Sequence, residues 1–457
     1  MLEPGTHDLV PLDAAVRRAH VAWKRWRRDL ARDPEAHADT DVFLTYRSVA
    51  NKALYDELGG GSPPLAEVEL RRGLRRWVAR LLQARNTHDA DVELARVCAA
   101  KDARITLEPA HKVSWLEAWR GVVTEPTRPA SIASLDAAAQ RGSDVGPLVR
   151  ARRERREEVL HRLGLDGETG LAPAPAADCD ALARAVLAAT DDLAAATLRE
   201  WRKKQDLAEV LPSGVDSIRA ALAPDATEGW PGRPQDRWLA ELFGAHVRGM
   251  PIELGPLAPA TGAASFARAL EAFGGALRRA ADPRAPFTLH DDPYFVDAYR
   301  VGAVFGSLAA SPTFQKKALE TSARVAAMQA RTIAFTLLFE VRLRAMRWLL
   351  ARDPRATPRD LFEELTFRVL GASLPSELAG AWPIARDDEA AILLGTITAP
   401  ALERELKDRF DEDWFKNPRA FDALRGRAML AVPEEDTTAT DVAHATTLAR
   451  AFEQVLG

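Results

Sequence analysis

Hydrophobic residues return every three or four positions along most of this chain, with polar and charged residues between them. That period puts the apolar positions on one stripe of an α-helix, whose turn takes 3.6 residues. It predicts helices over 12–33, 41–58, 65–85, 92–102, 112–123 and 131–163. LAPAPAA (171–177) breaks the pattern as a hinge or surface linker, and helices resume over 179–210 and 215–222. After the loop PDATEGWPGRP (224–234) come helices at 235–247, 264–280, 291–309 and 314–353, the last of them one helix or two. Shorter helices follow at 357–370, 386–394, 398–412, 417–431 and 438–456. Alternating runs of β-branched residues are scarce, and the one short strand expected falls in MPIELGPLAPATG (250–262). The predicted class is mainly α with at most a small β-sheet. No fixed-period repeat occurs, which argues against a solenoid.

Composition narrows the class without naming a function. The chain has 457 residues, 47% of them hydrophobic, and its 62 basic and 66 acidic side chains are closely mixed. A net charge of −4 offers no one-signed basic face, so neither nucleic acid nor an anionic membrane is expected as a partner. Three basic runs, KRWRRDLARD (24–33), RRGLRRWVAR (71–80) and RARRERREE (150–158), have acids close by. They read as solvated helix faces with i,i+4 pairs. Cys98 and Cys179 have no CxxC spacing, so a reducing compartment fits best. The N-terminus has no apolar secretory core and no run of about eighteen apolar residues occurs, so a cytoplasmic protein is expected.

The familiar chemistry-bearing motifs are missing. There is no GxSxG elbow, no GxxxxGK[ST] loop and no GxGxxG after a strand. GGGSPP (59–64) ends a helix and opens a turn. None of the nine histidines has another three or four residues away, so no helix presents a two-histidine metal face. HDDPY (290–294) is the densest group of hard ligands and reads as a helix N-cap region.

One stretch breaks the local rules. ASFARALEAFGGALRRA (264–280) has an apolar stripe, yet Gly274 and Gly275 sit in its middle. Each should cost a helix interior up to about 1 kcal/mol relative to alanine. This helix, a polar turn and DDPYFVDAYRVGAVFGSLAASPTFQKKAL (291–319) together resemble the zinc peptidases of the angiotensin-converting-enzyme and oligoendopeptidase type. Those enzymes carry HExGH on one helix and a third ligand, within a pattern like NPxFxEAxxD, on a later one. The chemistry needs that spacing: two histidines at i and i+4 hold zinc, the glutamate between them activates water, and a distant glutamate closes the site.

Laid on that pattern, Glu271 stands at the first histidine and Ala272 at the general base. Phe273 and Gly274 match the middle, Gly275 takes the second histidine, and Asp297 takes the third ligand, 22 residues after Gly275. LVRARRERREEVLHRLGLDG (148–167) is similar to the family's helix leading into a cleft lobe, and DEDWFKNPRAFDALRG (411–426) to its terminal segment. The four tyrosines are 46, 55, 294 and 299, and no histidine lies between 290 and 444, so the family's C-terminal oxyanion donors are missing too.

The resemblance therefore implies a large helical metallopeptidase-like fold with two lobes around a cleft, 1–170 and 178–457. It implies a pseudopeptidase with no metal and no cofactor, acting by binding a peptide or protein partner. Cleft-lining candidates are Phe273, His290, Tyr294, Tyr299 and Arg300. Glu271, Asp291, Asp292 and Asp297 could converge on Mg²⁺ or Ca²⁺, although Arg268, Arg278 and Arg300 favour a salt-bridged network. Gly275 is expected to leave the histidine's space empty. An enzyme of another class reusing the cleft through carboxylates and arginines, and a helical scaffold with no cleft function, are the alternatives. Oligomeric state stays open.

Overall fold

The computed structural model describes residues 8–61, 63–106, 110–165, 179–222, 227–232, 235–250, 252–254, 257, 263–280, 286–291, 294–352, 359–426 and 437–457. The N-terminal part holds α1 (Leu9–Arg32), α2 (Pro34–His37), α3 (Val42–Thr45), α4 (Lys52–Gly59), α5 (Leu65–Asn86) and α6 (His88–Ala99). A small sheet, β1 (Ala103–Ile105) and β2 (His111–Val113), precedes α7 (Trp115–Thr124), α8 (Arg128–Arg162), α9 (Cys179–Lys204), α10 (Gly214–Leu222) and α11 (Gln235–Phe243). Then follow α12 (Ala263–Arg279), α13 (Phe287–His290), α14 (Val296–Ser307), α15 (Pro312–Ala318) and α16 (Ala323–Arg352). The C-terminal part is α17 (Arg359–Leu370), α18 (Glu389–Phe410), α19 (Pro418–Arg425) and α20 (Thr437–Leu456). The class is mainly α, and none of the described helices is long and apolar enough to cross a membrane.

Caps account for several departures from the periodic reading. The apolar pattern over 41–58 runs unbroken, but Asp41 accepts from the Phe43 amide and Asn51 from the Leu54 amide, at 2.8 and 2.9 Å. Each side chain starts its own helix, so the stretch splits into α3 and α4. The 314–353 stretch is two helices, broken where Glu320 takes a φ of +55°. Conversely, 386–394 and 398–412 fuse into α18, which runs through Pro400. Proline removes one backbone hydrogen bond, and packing of α18 on both flanks offsets that loss.

The sheet lies elsewhere than expected. β1 and β2 pair antiparallel, with Arg104 opposite Lys112, and the described residues of 250–262 contain no strand. Gln140 on α8 fixes the pair's edge, accepting from the Arg104 amide and donating to its carbonyl, both at 3.0 Å. That long-range amide bracket is invisible to local periodicity. The 171–177 linker lies outside the described residues.

Two hydrophobic clusters fill the interior. The smaller joins α1, α3, α4 and α5 to the end of α8, with Phe287 and Tyr294. The larger extends from Cys98 to Leu456. Asp13 on α1 ties the smaller cluster to α13, accepting from the Phe287 amide (2.8 Å) and from the Thr288 amide and hydroxyl (2.9 and 2.7 Å).

Polar contacts on the same side overturn the solvated reading of the basic runs. Arg27, Arg80, Arg152 and Arg156, drawn from all three runs, converge on Asp387, just before α18. Arg80 Nη2 lies 2.7 Å from Asp387 Oδ2, and Arg152 Nη2 lies 2.9 Å from Oδ1. Arg156 hydrogen-bonds Oδ1, and Arg27 stands 3.5 Å from Oδ2. Arg152 Nε also reaches Asp91 Oδ1 at 2.5 Å. Burial alone would raise the Asp387 carboxyl; the guanidinium groups, led by Arg156, outweigh it and hold the group well below the carboxylate range. The other arginines of the first run keep to solvent: Arg25 and Arg28 are exposed beside Asp29.

Candidate functional site

The double glycine is explained by the helix it meets. α12 and α14 run antiparallel in backbone contact. A Cβ on Gly274 would lie 2.6 Å from the Val301 carbonyl oxygen and 2.7 Å from Phe305 Cδ2. A Cβ on Gly275 would lie 3.3 Å from the Ala298 carbonyl oxygen. Gly302 answers from the other side, where a Cβ would come within 2.8 Å of the Glu271 carbonyl. The motif led to the expectation of an empty space opposite Gly275; instead the α14 backbone occupies it. On its far side α14 meets α18 the same way, since a Cβ on Gly395 would lie 2.7 Å from the Arg300 amide nitrogen. Three helices are stacked through glycine contacts.

This register separates the residues aligned with the peptidase ligands. Gly275 faces Ala298, so Asp297 sits near that end of the contact, whereas Glu271 faces Gly302, about a turn further along. Arg344 Nη2 on α16 donates to Glu271 Oε1 and Oε2 at 3.0 and 3.4 Å, and Arg344 Nη1 donates to Thr396. Burial disfavours the Arg344 cation, but Glu271 foremost, with Glu340, outweighs it and raises its pKa. Asp297 instead has Arg300 at 3.7 Å; its burial outweighs the Arg300 and Arg278 cations and raises its pKa. Asp291 pairs with Arg279 at 3.1 Å, and Arg268 pairs with Glu340 at 2.9 Å. The carboxylates are thus distributed among separate arginines. Among the described residues no three His, Cys, Asp or Glu side chains gather where a metal ion could be held. Asp292 lies outside the described residues.

The other named residues take structural places. Phe273 is 2% exposed and stacks on Phe243 at 4.8 Å, inside the larger core. Ala272 is half-buried. Tyr294 packs in the smaller core, and His290 ends α13. The Tyr299 hydroxyl donates to Asp388, with the Arg279 guanidinium 5.4 Å from its ring centre. Burial foremost, then Asp388, raises that hydroxyl's pKa. Arg300 is buried and donates through Nε to Thr398 at 3.0 Å.

Of these residues, Glu271 lines a cavity. About 250 Å³ of space lies between α12, α14, α16, α18 and α20. Its apolar walls include Ala303 and Ala310 on one side, Leu337 and Val341 on another, and Leu448, Phe452 and Val455 from the last helix. Its polar groups are the Glu271–Arg344 pair, Glu340, and a second set, Glu403, Lys407 and Glu412. Ser307 donates to Glu403 at 3.0 Å, and Lys407 lies 3.1 Å from Glu403 and 3.6 Å from Glu412. Burial disfavours the Lys407 ammonium, but Glu403 and Glu412 outweigh it and raise its pKa. Sequence reading missed Glu340 and Arg344, which recur at i,i+4 on one face of α16. That spacing was the available signal, hidden within a long apolar run. No family model, no curated protein and no solved structure matches this chain.

Proposed function

We propose that the protein acts by binding, as a non-hydrolytic relation of the zinc peptidases it resembles, and that the cavity between α12 and α20 receives a side chain of a peptide or protein partner. The observation that carries this reading is the use made of Glu271. At the position of a zinc-binding histidine, it turns to Arg344 and becomes part of an apolar cavity's wall. The direct contact of Gly275 with the α14 backbone supports the same reading, because it leaves a packing surface where a metal ligand would project.

The cavity's chemistry selects the partner. Its volume suits a side chain rather than a whole cofactor, since small-molecule pockets start near 300 Å³. Among the described residues the four glutamates of its wall meet Arg344, Lys407 and, on Glu340, Arg268, which leaves the wall acidic by one charge, so an apolar residue flanked by a lysine or arginine is the complementary ligand. Fluorescence polarisation against peptides carrying Leu or Phe beside Lys or Arg tests this. Binding should weaken about tenfold or more in Ala451→Phe, which fills the cavity, and be weaker for Asp- or Glu-flanked peptides. Equal binding by the filled variant, or no peptide binding up to about 1 mM, overturns the reading. Stoichiometric zinc in the purified protein removes its non-hydrolytic part.

A further inference from the structure

A second cavity, of about 310 Å³, lies between α4, α5 and the end of α8, and shares no helix with the cavity lined by Glu271. Its floor is apolar: Val159 and Leu163 are buried, Leu82 is half-buried, and all three pack in the smaller core. Among the described residues, the ionisable side chains that line it, Lys52, Arg85 and Arg162, are all basic.

Two of these cations have carboxylate partners that stand outside the cavity lining. Lys52 Nζ lies 2.5 Å from Asp56 Oδ2, and Arg162 Nη2 lies 3.5 Å from Glu158 Oε1. Both acids are exposed, at 53% and 62%, so water screens these pairs. Arg85 donates through Nη1 to the Ala50 carbonyl at 3.1 Å and forms no ion pair with a described carboxylate. That bond anchors the guanidinium at the cavity wall and leaves it further N–H donors. Asn86 accepts from Arg162 at 3.3 Å and donates to the Arg155 carbonyl at 2.7 Å, which braces Arg162 against α5.

Helix ends account for two of the three positions. Arg85 and Arg162 stand in the last turns of α5 and α8, where cations suit the negative end of the dipole. Lys52 has no such reason, because it opens α4, at the end where a cation is disfavoured. Its pairing with Asp56 also runs in the less favourable order, cation first. What the position supplies is a third cation on the cavity's rim.

We infer that this cavity binds a small apolar carboxylate, its anionic end on Arg85 and its apolar body on Leu82, Val159 and Leu163. The volume reaches the range in which small-molecule sites begin, about 300 Å³. A guanidinium fork matches a carboxylate through two parallel hydrogen bonds, and Lys52 and Arg162 add attraction from the rim. A single negative charge is the fitting number, since Lys52 and Arg162 already have acids of their own.

The test is isothermal titration of the full chain with phenylacetate, acetate and benzyl alcohol at constant ionic strength. Phenylacetate should bind with a Kd below about 1 mM, and the other two, each lacking one half of the ligand, about tenfold or more weakly. Arg85→Gln should weaken phenylacetate binding about tenfold or more. Arg85→Lys should recover only part of that loss, because the charge stays while the fork is gone. Arg162→Gln, at a side chain 54% exposed and so without cost to the fold, should weaken binding about threefold. The exposed Arg155→Gln, outside the cavity lining, should leave it unchanged. Acetate binding as tightly as phenylacetate, no phenylacetate binding up to about 10 mM, or an equal loss in the Arg155 and Arg85 variants overturns the site. Tighter binding of phenyl phosphate than of phenylacetate overturns the carboxylate assignment.

Discussion

Arg344 on α16 holds Glu271 on α12 through two hydrogen bonds, at 3.0 and 3.4 Å, across a separation of 73 residues in sequence. The Arg344 side chain is 12% exposed, so its charge depends on protein partners rather than on water. Removing one member of a buried pair leaves the other uncompensated. Arg344→Met should therefore lower stability by about 3 kcal/mol, read by urea denaturation. Glu271→Gln added to it should recover part of that loss, because the stranded carboxylate is then gone.

The two glycines of α12 should respond differently to the same change. At Gly274 a methyl group meets the Val301 carbonyl at 2.6 Å and the Phe305 side chain at 2.7 Å, so the helices must separate. Gly274→Ala should cost about 1–3 kcal/mol despite its better helix propensity. At Gly275 the nearest contacts are 3.3 Å, from the Ala298 carbonyl and Arg279 Nη1, and Arg279 is long enough to shift. Gly275→Ala should stay within about 1 kcal/mol of the parent, propensity offsetting contact. Thermal unfolding of both variants distinguishes them, and equal losses would contradict the packing described.

His20 should impose a pH dependence. It packs against Trp77 and Phe287, and burial foremost lowers its pKa to about 4; Asp291 opposes this, and Lys24, Arg80 and Arg279 reinforce it. The unfolded chain protonates this histidine near pH 6.5, before the folded chain does. Stability should therefore fall as pH drops from about 6.5 to about 4, by about 3 kcal/mol from this group. In His20→Phe the decline over that window should be shallower, as measured by denaturant midpoints at several pH values.

Asp387 has the opposite shift and the later window. Its folded pKa is depressed, so its stabilisation is full above the unfolded value of about 4 and is lost as pH falls through the folded value below that. Asp387→Asn should be less stable than the parent by about 3 kcal/mol at pH 7, a gap that holds to about pH 5 and narrows only in stronger acid. Chemical denaturation of both proteins across that range checks the sign.

Most of the helices could be read from the chain because their cause is local. The 3.6-residue period acts between residues a few positions apart, whereas the caps Asp41 and Asn51, equally local, went unread and split 41–58 in two. The glycine pair was legible as an exception to helix propensity, but its cause was not, since the space at Gly275 was expected to be empty. That α14 fills the space at Gly275 depends on register between two helices, which no local rule sets.

Charge pairing was legible least, because Coulomb energy follows distance in space. Arg25, Arg27 and Arg28 are equivalent as letters in a basic run, yet only the rotation of α1 against its neighbours turns Arg27 towards Asp387 and leaves the other two to solvent. Arg152 and Asp387 are 235 residues apart. Sequence by itself determined a mainly helical chain with a glycine pair set against helix propensity at 274–275. The tertiary structure decided which arginine each carboxylate meets, because only packing sets the distances and the dielectric on which that choice depends.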